Sequence, residues 1–203
     1  MKNFIVLGIS GSPRIAATDY VVNFALDLIK QKEKAETLYF SVAKKKINFC
    51  IHCDYCIKNK KGCIHDDDMQ QLYPLMEKAD AWIIGTPIYQ GSVSAQVKAI
   101  LDRCRAPVAK NLKVFENKVG AAIGIGGDRL GGQEIAIQII LNFYIINEMI
   151  PVGGGSFGAN LGGTIWSKDK KAEGAAEDEE GKRSIKKMVK RLISTVKLIK
   201  DIE

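Results

Sequence analysis

Four cysteines stand close together: Cys50, Cys53, Cys56 and Cys63, in the pattern Cys-x2-Cys-x2-Cys-x6-Cys. Three thiols within seven residues can occupy three corners of one cube. A fourth just downstream completes the thiolate set that an iron–sulfur cluster needs. Structural zinc more often uses two separated cysteine pairs, or a cysteine pair with a histidine pair. The spacing here is too tight for two knuckles, but His52 and His65 keep a zinc set open as the alternative. Cys104 falls on a helical face with Val97, Ile100 and Leu101, which makes it a core residue. Clustered thiols of this kind point to metal or redox chemistry in a reducing, cytoplasmic compartment rather than to disulfides.

Three glycine-containing loops carry the second set of candidates. The first, Ser10-Gly11-Ser12-Pro13-Arg14, lies between a strand-like run and a helix that begins near Thr18. A helix N-terminus offers unpaired N–H groups and partial positive charge, so it suits a phosphate. Ser10, Ser12 and Thr18 add hydroxyls, and Arg14 adds a planar charged fork. The pattern is not the GxGxxG fingerprint of a dinucleotide site, so a single phosphate, as in FMN, suits it better. The second loop is Gly85-Thr86-Pro87-Ile88-Tyr89-Gln90-Gly91-Ser92. Pro87 stiffens it, Tyr89 can lie along a flat ring, Gly91 allows close backbone approach and Ser92 can cap the next helix. The third, Gly124-Ile125-Gly126-Gly127-Asp128-Arg129-Leu130-Gly131-Gly132-Gln133, has the glycine density of backbone pressed against a ligand.

The elements between these segments place them. Short apolar runs at Phe4–Ser10, Glu36–Ser41, Asp80–Thr86, Val119–Ile125 and, more weakly, Ile150–Gly155 read as strands covered on both faces. Helical stripes lie between them, and a long one runs from Ile185 to Ile199. The run Asp66-Asp67-Asp68 suits a helix N-terminus through the helix dipole, and Pro74 should kink that helix or mark a late start. Repeated strand–helix alternation predicts one α/β domain over residues 1–203: a flavodoxin-like, five-stranded parallel sheet of order 2-1-3-4-5, with helices on both faces. The first and third strands then flank the switch point where ligands bind. Two segments stand outside this scheme and read as functional or interface loops. One is Val42–His65, the cysteine insertion after strand 2; the other is Ala159–Gly181. The insertion leaves the same sheet edge as the loops after strands 1 and 3, one or two strand widths from their cleft.

Composition bounds the partners. The chain has 203 residues and a net charge of +7, consistent with a lysine-rich solvated surface. Its basic residues do not interleave with aromatics, and no nucleic-acid motif is present. Met1 leads straight into a strand, so no leader is expected. The longest apolar stretch, Ile135–Ile150, is interrupted by polar residues and too short for a membrane span. It reads as a buried helix or a subunit interface. Lys44, Lys45, Lys46, Lys58, Lys60 and Lys61 surround the cysteines and suit an acidic protein donor.

Taken together, the three loops and the compact cysteine motif resemble the iron–sulfur flavoproteins of anaerobic archaea and bacteria, within the NADPH-dependent FMN reductase superfamily. The likeness runs over nearly the whole chain, including Trp166 and Asp178–Gly181. It implies one FMN and one 4Fe–4S cluster per subunit, a homodimer or homotetramer, and electrons from a ferredoxin-type donor passed to a small acceptor such as oxygen, peroxide or a quinone. By that likeness Ser10, Ser12, Arg14 and Thr18 hold the phosphate. Pro87, Ile88, Tyr89, Gly91, Gly126 and Gly127 line the flavin, with Pro13, Thr86, Ser92 and Gln133 beside them. Ile15-Ala16-Ala17 stands where relatives that use NADPH carry polar residues, which points away from a nicotinamide donor. Two rival readings are an NAD(P)H-dependent flavin or quinone reductase with a structural zinc, and a non-enzymatic electron carrier or redox sensor.

Overall fold

A computed structural model of the chain describes residues 3–155 and 160–202; Met1 and Ala159 lie outside the described residues. Six strands and eight helices follow in the order β1 (Ile5–Ser10), α1 (Ala17–Lys32), β2 (Glu36–Ser41), α2 (Tyr55–Asn59), α3 (Met69–Lys78), β3 (Ala81–Pro87), α4 (Ala95–Arg103), α5 (Arg105–Lys110), β4 (Val119–Gly126), α6 (Gln133–Ile146), β5 (Ile150–Pro151), β6 (Gly163–Trp166), α7 (Lys171–Glu177) and α8 (Glu179–Ile202). The sheet is parallel and ordered β2-β1-β3-β4-β5, with β6 also paired to β4. This is the flavodoxin-like order expected from the alternation.

β3 and β4 are buried along their full length, which is why they read as unbroken apolar runs rather than alternating ones. Successive side chains point to opposite faces. Leu7, Ile9, Trp82 and Ile84 therefore pack with α3, α4 and α6 through Leu72, Met76, Ile100, Ile140 and Tyr144. Val6, Ile83, Ala121 and Ile123 pack with α1 and α8 through Val22, Ile29, Ile185, Met188 and Leu192. α8 buries the stripe from Ile185 to Val196 seen in the sequence, together with Gly181 and Ser184 in its first turns.

The structure corrects the sequence reading at the far edge of the sheet. The fifth strand does not run to Gly155 but stops at Pro151, and β6 takes up the same edge beside the second half of β4. The segment read as a long loop to Gly181 contains β6, α7 and the first turn of α8. Four residues are too few to show a period, so β6 had no pattern to betray it. Asp178 anchors this return: its carboxylate accepts from the Trp166 N–H at 2.8 Å and the Gly181 N–H at 3.2 Å. α3 does not start late: it begins at Met69 and carries Pro74 inside it.

Candidate functional site

Loops after β1, β3 and β4 meet at the carboxyl edge of the sheet. The Gly11 N–H donates to the Gly85 carbonyl at 2.8 Å, and Ser94 Oγ donates to the Gly11 carbonyl at 2.7 Å. A Cβ on Gly11 would stand 2.1 Å from Val97 Cγ2, so only glycine lets β1 and α4 close this tightly. Gly132 has φ +103° and lies against Gly91: a Cβ there would be 2.9 Å from Gly91 Cα. The loop after β4 is thereby pressed onto the loop after β3.

Ser12 shapes the first loop, its Oγ donating to the Arg14 carbonyl at 2.8 Å and accepting from the Arg14 N–H at 3.2 Å. The first turn of α1 is fixed by Asp19, which accepts from the Ala16 N–H at 3.3 Å. From β2, the Tyr39 hydroxyl and Ser41 Oγ donate to the other Asp19 oxygen. Burial, and then the adjacent Asp19 carboxylate, push the Tyr39 pKa up to about 12, so this tie holds through neutral pH. Sequence reasoning did not find this bracing because Asp19 on α1 and its two partners on β2 come from separate elements.

Ser12, Arg14, Thr18, Pro87, Ile88, Tyr89 and Gly127 come together around one cleft of about 210 Å³. The turn after β6 brings Ser167 and Asp169 to the same cleft, and the first residue of α7 brings Lys171. These three were missed, since β6 was missed. The other expected residues stand behind the lining. The Thr86 hydroxyl accepts from the Ser94 N–H, and Ser92 bridges back to Tyr89. Gln133 closes its own loop by donating to the Asp128 carbonyl and accepting from the Gly131 N–H. The Gly126 carbonyl accepts from the Ser167 N–H and Oγ. Gly91 supports Gly132, and Pro13 is exposed. Ser10 is fully buried; its Oγ makes no hydrogen bond, and the nearby Tyr39 hydroxyl is committed to Asp19. An α1 N-terminus flanked by Arg14 and Lys171 fits a phosphate, and the Pro87-Ile88-Tyr89 wall fits a flat ring.

The cysteine insertion takes a different course from the one its starting point suggests. β2 ends level with β1, Ser41 beside Ser10, as a common edge requires. The segment then turns to lie against α3 and α5, with Lys61 and Gly62 facing Tyr73, Pro74, Ala106 and Pro107 across a shallow groove. None of its residues lines the cleft. Cys50, Cys56 and Cys63 are half-buried and Cys53 is exposed; Cys56 and Cys63 pack against the core. α2 carries Cys56 between left-handed residues at Asp54 and Lys60.

The neck of the insertion is held by Arg103 and Asp67, whose side chains are wholly buried. Arg103 Nη1 donates to Asp67 Oδ2 at 2.5 Å and to the Asn48 carbonyl at 3.2 Å. Asp67 Oδ2 also accepts from the Asn48 N–H and Nδ2, both at 2.9 Å. Burial raises the Asp67 pKa, but Arg103 and the backbone N–H groups of Asn48 and Met69 outweigh it and hold the carboxyl below its usual range. The acidic run thus divides its labour: Asp67 pairs with Arg103, and Asp68 accepts from the Lys46 N–H at 2.7 Å. Asp54 meets Arg105 at 2.6 Å on the outer side. Among the described residues no three His, Cys, Asp or Glu side chains gather around a single ion's position. A cube presents a separate iron to each thiolate, so four thiols on one braced loop fit a cluster by donor chemistry.

Residues 5–164 match the family described as NADPH-dependent FMN reductase. The chain belongs to this family. Membership makes it an FMN-dependent oxidoreductase. Within the family it is 60% identical over 192 residues to an iron-sulfur flavoprotein of Methanocaldococcus jannaschii, covering 95% of this chain and 96% of that one. It is 54% identical over 187 residues to an iron-sulfur flavoprotein of Archaeoglobus fulgidus, covering 92% and 94%. In three dimensions it is similar to a flavodoxin, WrbA-like protein from Agrobacterium tumefaciens, with a TM-score of 0.61 at 15% identity over 98% of this chain and 99% of that one. Among the described residues, no helix is long and apolar enough to cross a membrane.

Proposed function

We propose that the chain is an iron–sulfur flavoprotein that takes electrons from a ferredoxin-type donor at a 4Fe–4S cluster and delivers them through FMN to a small acceptor such as oxygen, peroxide or a quinone. The observation that carries this reading is the pairing of a phosphate-and-ring cleft with a separate, braced four-cysteine insertion in one chain. When bound, the cluster supplies single-electron exchange and FMN supplies exchange of one or two electrons. The chain's own residues bind and orient. Ser12, Arg14, Thr18 and the α1 N-terminus hold the phosphate, Tyr89 and Pro87 the ring, and Cys50, Cys53, Cys56 and Cys63 the iron. Exposed Lys44, Lys46, Lys58, Lys60 and Lys61 offer an acidic donor a docking face on the insertion. Anaerobically purified protein should be brown, contain iron and acid-labile sulfide, and turn over faster with reduced ferredoxin than with NADPH. Yellow, zinc-containing protein that prefers NADPH would replace this reading with that of a nicotinamide-dependent reductase.

Arg14→Ala should weaken FMN retention by about 1–3 kcal/mol, the scale of a lost charge-assisted hydrogen bond. Equilibrium dialysis of the apoprotein measures it, and an unchanged dissociation constant would remove Arg14 from the phosphate site.

The chain works as a homodimer or homotetramer. α6 buries one face but leaves Ile135 and Ile146 60% and 79% exposed, and the insertion exposes Phe49, Ile51, Ile57 and Ile64. Light scattering at micromolar concentration should give a multiple of the chain mass; a monomer would end the argument.

A further inference from the structure

Among the described residues Arg103 is the largest buried charged side chain, 1% exposed. Only one of its three guanidinium nitrogens is engaged. Nη1 serves Asp67 and Asn48, whereas Nε and Nη2 are buried and make no hydrogen bond. A guanidinium cannot shed its proton to escape this, and a buried donor without an acceptor is costly, so native interiors rarely keep one. The surroundings offer few protein acceptors. Asp67 is on the Nη1 side, and the Tyr73 hydroxyl is committed to the Arg103 carbonyl at 3.2 Å. The Cys104 thiol faces Met76, with sulfur atoms 4.0 Å apart. What remains is the half-buried Cys63, which packs against the core cluster that contains Tyr73 and Cys104. His65 repeats the pattern two residues on, with a buried Nε2 that also has no partner.

We propose that Arg103 is a tuning residue for the cluster: Nε–H and Nη2–H donate to sulfur on its Cys63 side. This rests on the cluster reading given above. Hydrogen bonds to sulfur and nearby positive charge favour the reduced, more negative state of a cluster and so raise its potential. The Asp67 pairing occupies Nη1 and leaves Nε and Nη2 for another acceptor. A lysine at this position would keep the charge but not the two-nitrogen edge.

The test begins with wild-type holoprotein grown on isotopically labelled arginine. Pulsed EPR of the reduced cluster should show an arginine nitrogen coupling that survives in Arg105→Lys and disappears in Arg103→Lys. Redox titration should place the Arg103→Lys cluster lower by at least a tenfold shift in its one-electron equilibrium, about 59 mV. A purely structural Arg103 would lower cluster content without moving the potential of the clusters that assemble. If Arg103→Lys does not fold, the neutral pair Arg103→Gln with Asp67→Asn takes its place, and the labelled wild type decides by itself. A wild-type cluster without arginine coupling, or an unmoved potential, overturns the role of Arg103 while leaving the cluster in place. Wild-type protein without iron and sulfide overturns both.

Discussion

Cys56→Ala protein should keep its FMN and lose its cluster. A 4Fe–4S cube needs a thiolate on each of its four irons, and a methyl group cannot replace one. The same loss should follow at Cys50, Cys53 and Cys63. FMN should remain because no residue of the insertion lines the cleft. Cys104→Ala is the matched control: its thiol is buried against Met76, where burial pushes its pKa well up and keeps it protonated. Iron and sulfide analysis beside flavin absorbance reads both cofactors in one sample. A full complement of iron in Cys56→Ala would remove that residue from the ligand set.

Asp67→Ala should be the most damaging single change outside the cysteines. It strands the guanidinium of Arg103 in the interior and frees both Asn48 donors at once. Breaking one side of a buried ion pair costs roughly 3–5 kcal/mol. For a domain of this size that lowers the melting temperature by about 6–20 °C. Asp67→Asn keeps an acceptor and should fall between. The pH dependence has a definite sign. The folded pKa of Asp67 is depressed, so its contribution is fully present above its unfolded value near pH 4 and is lost as pH falls through the folded value. Melting of the apoprotein isolates the effect from metal binding. An Asp67→Ala midpoint within about 2 °C of the parent would show that the pair carries little stability.

Much of this was legible because its signals are local. β1 to β4 are apolar runs between punctuating residues, and their boundaries match the sequence to within a residue or so. The loops that form the cleft declare themselves by glycine, serine and proline at strand ends. What escaped had no local signal. β6 is four residues long, and with it went Ser167, Asp169 and Lys171. The course of the insertion depends on Arg103, three residues after buried Ile100 on the same helix, where a charge on the inner face could have been noticed. Its partner Asp67 was hidden in an acidic run that reads as complementing the helix dipole. Pairings between residues 36 apart leave no mark on periodicity.

The clasp at the neck of the insertion has a consequence for how the protein is made. Asn48 and Asp67, 19 residues apart, are joined by protein groups alone, with no cysteine in the clasp. The entropy of closing that loop grows as the logarithm of its length, and here it is met by folding rather than by iron. The thiols between them are therefore tethered to one small volume, at an effective concentration of the kind short linkers give. The first iron to be captured need not gather the loop, and each later ligand is already near. Assembly should then behave as a filling of a prepared basket, with partly loaded forms short-lived, and the same crowding leaves the empty thiols prone to pair with one another in air.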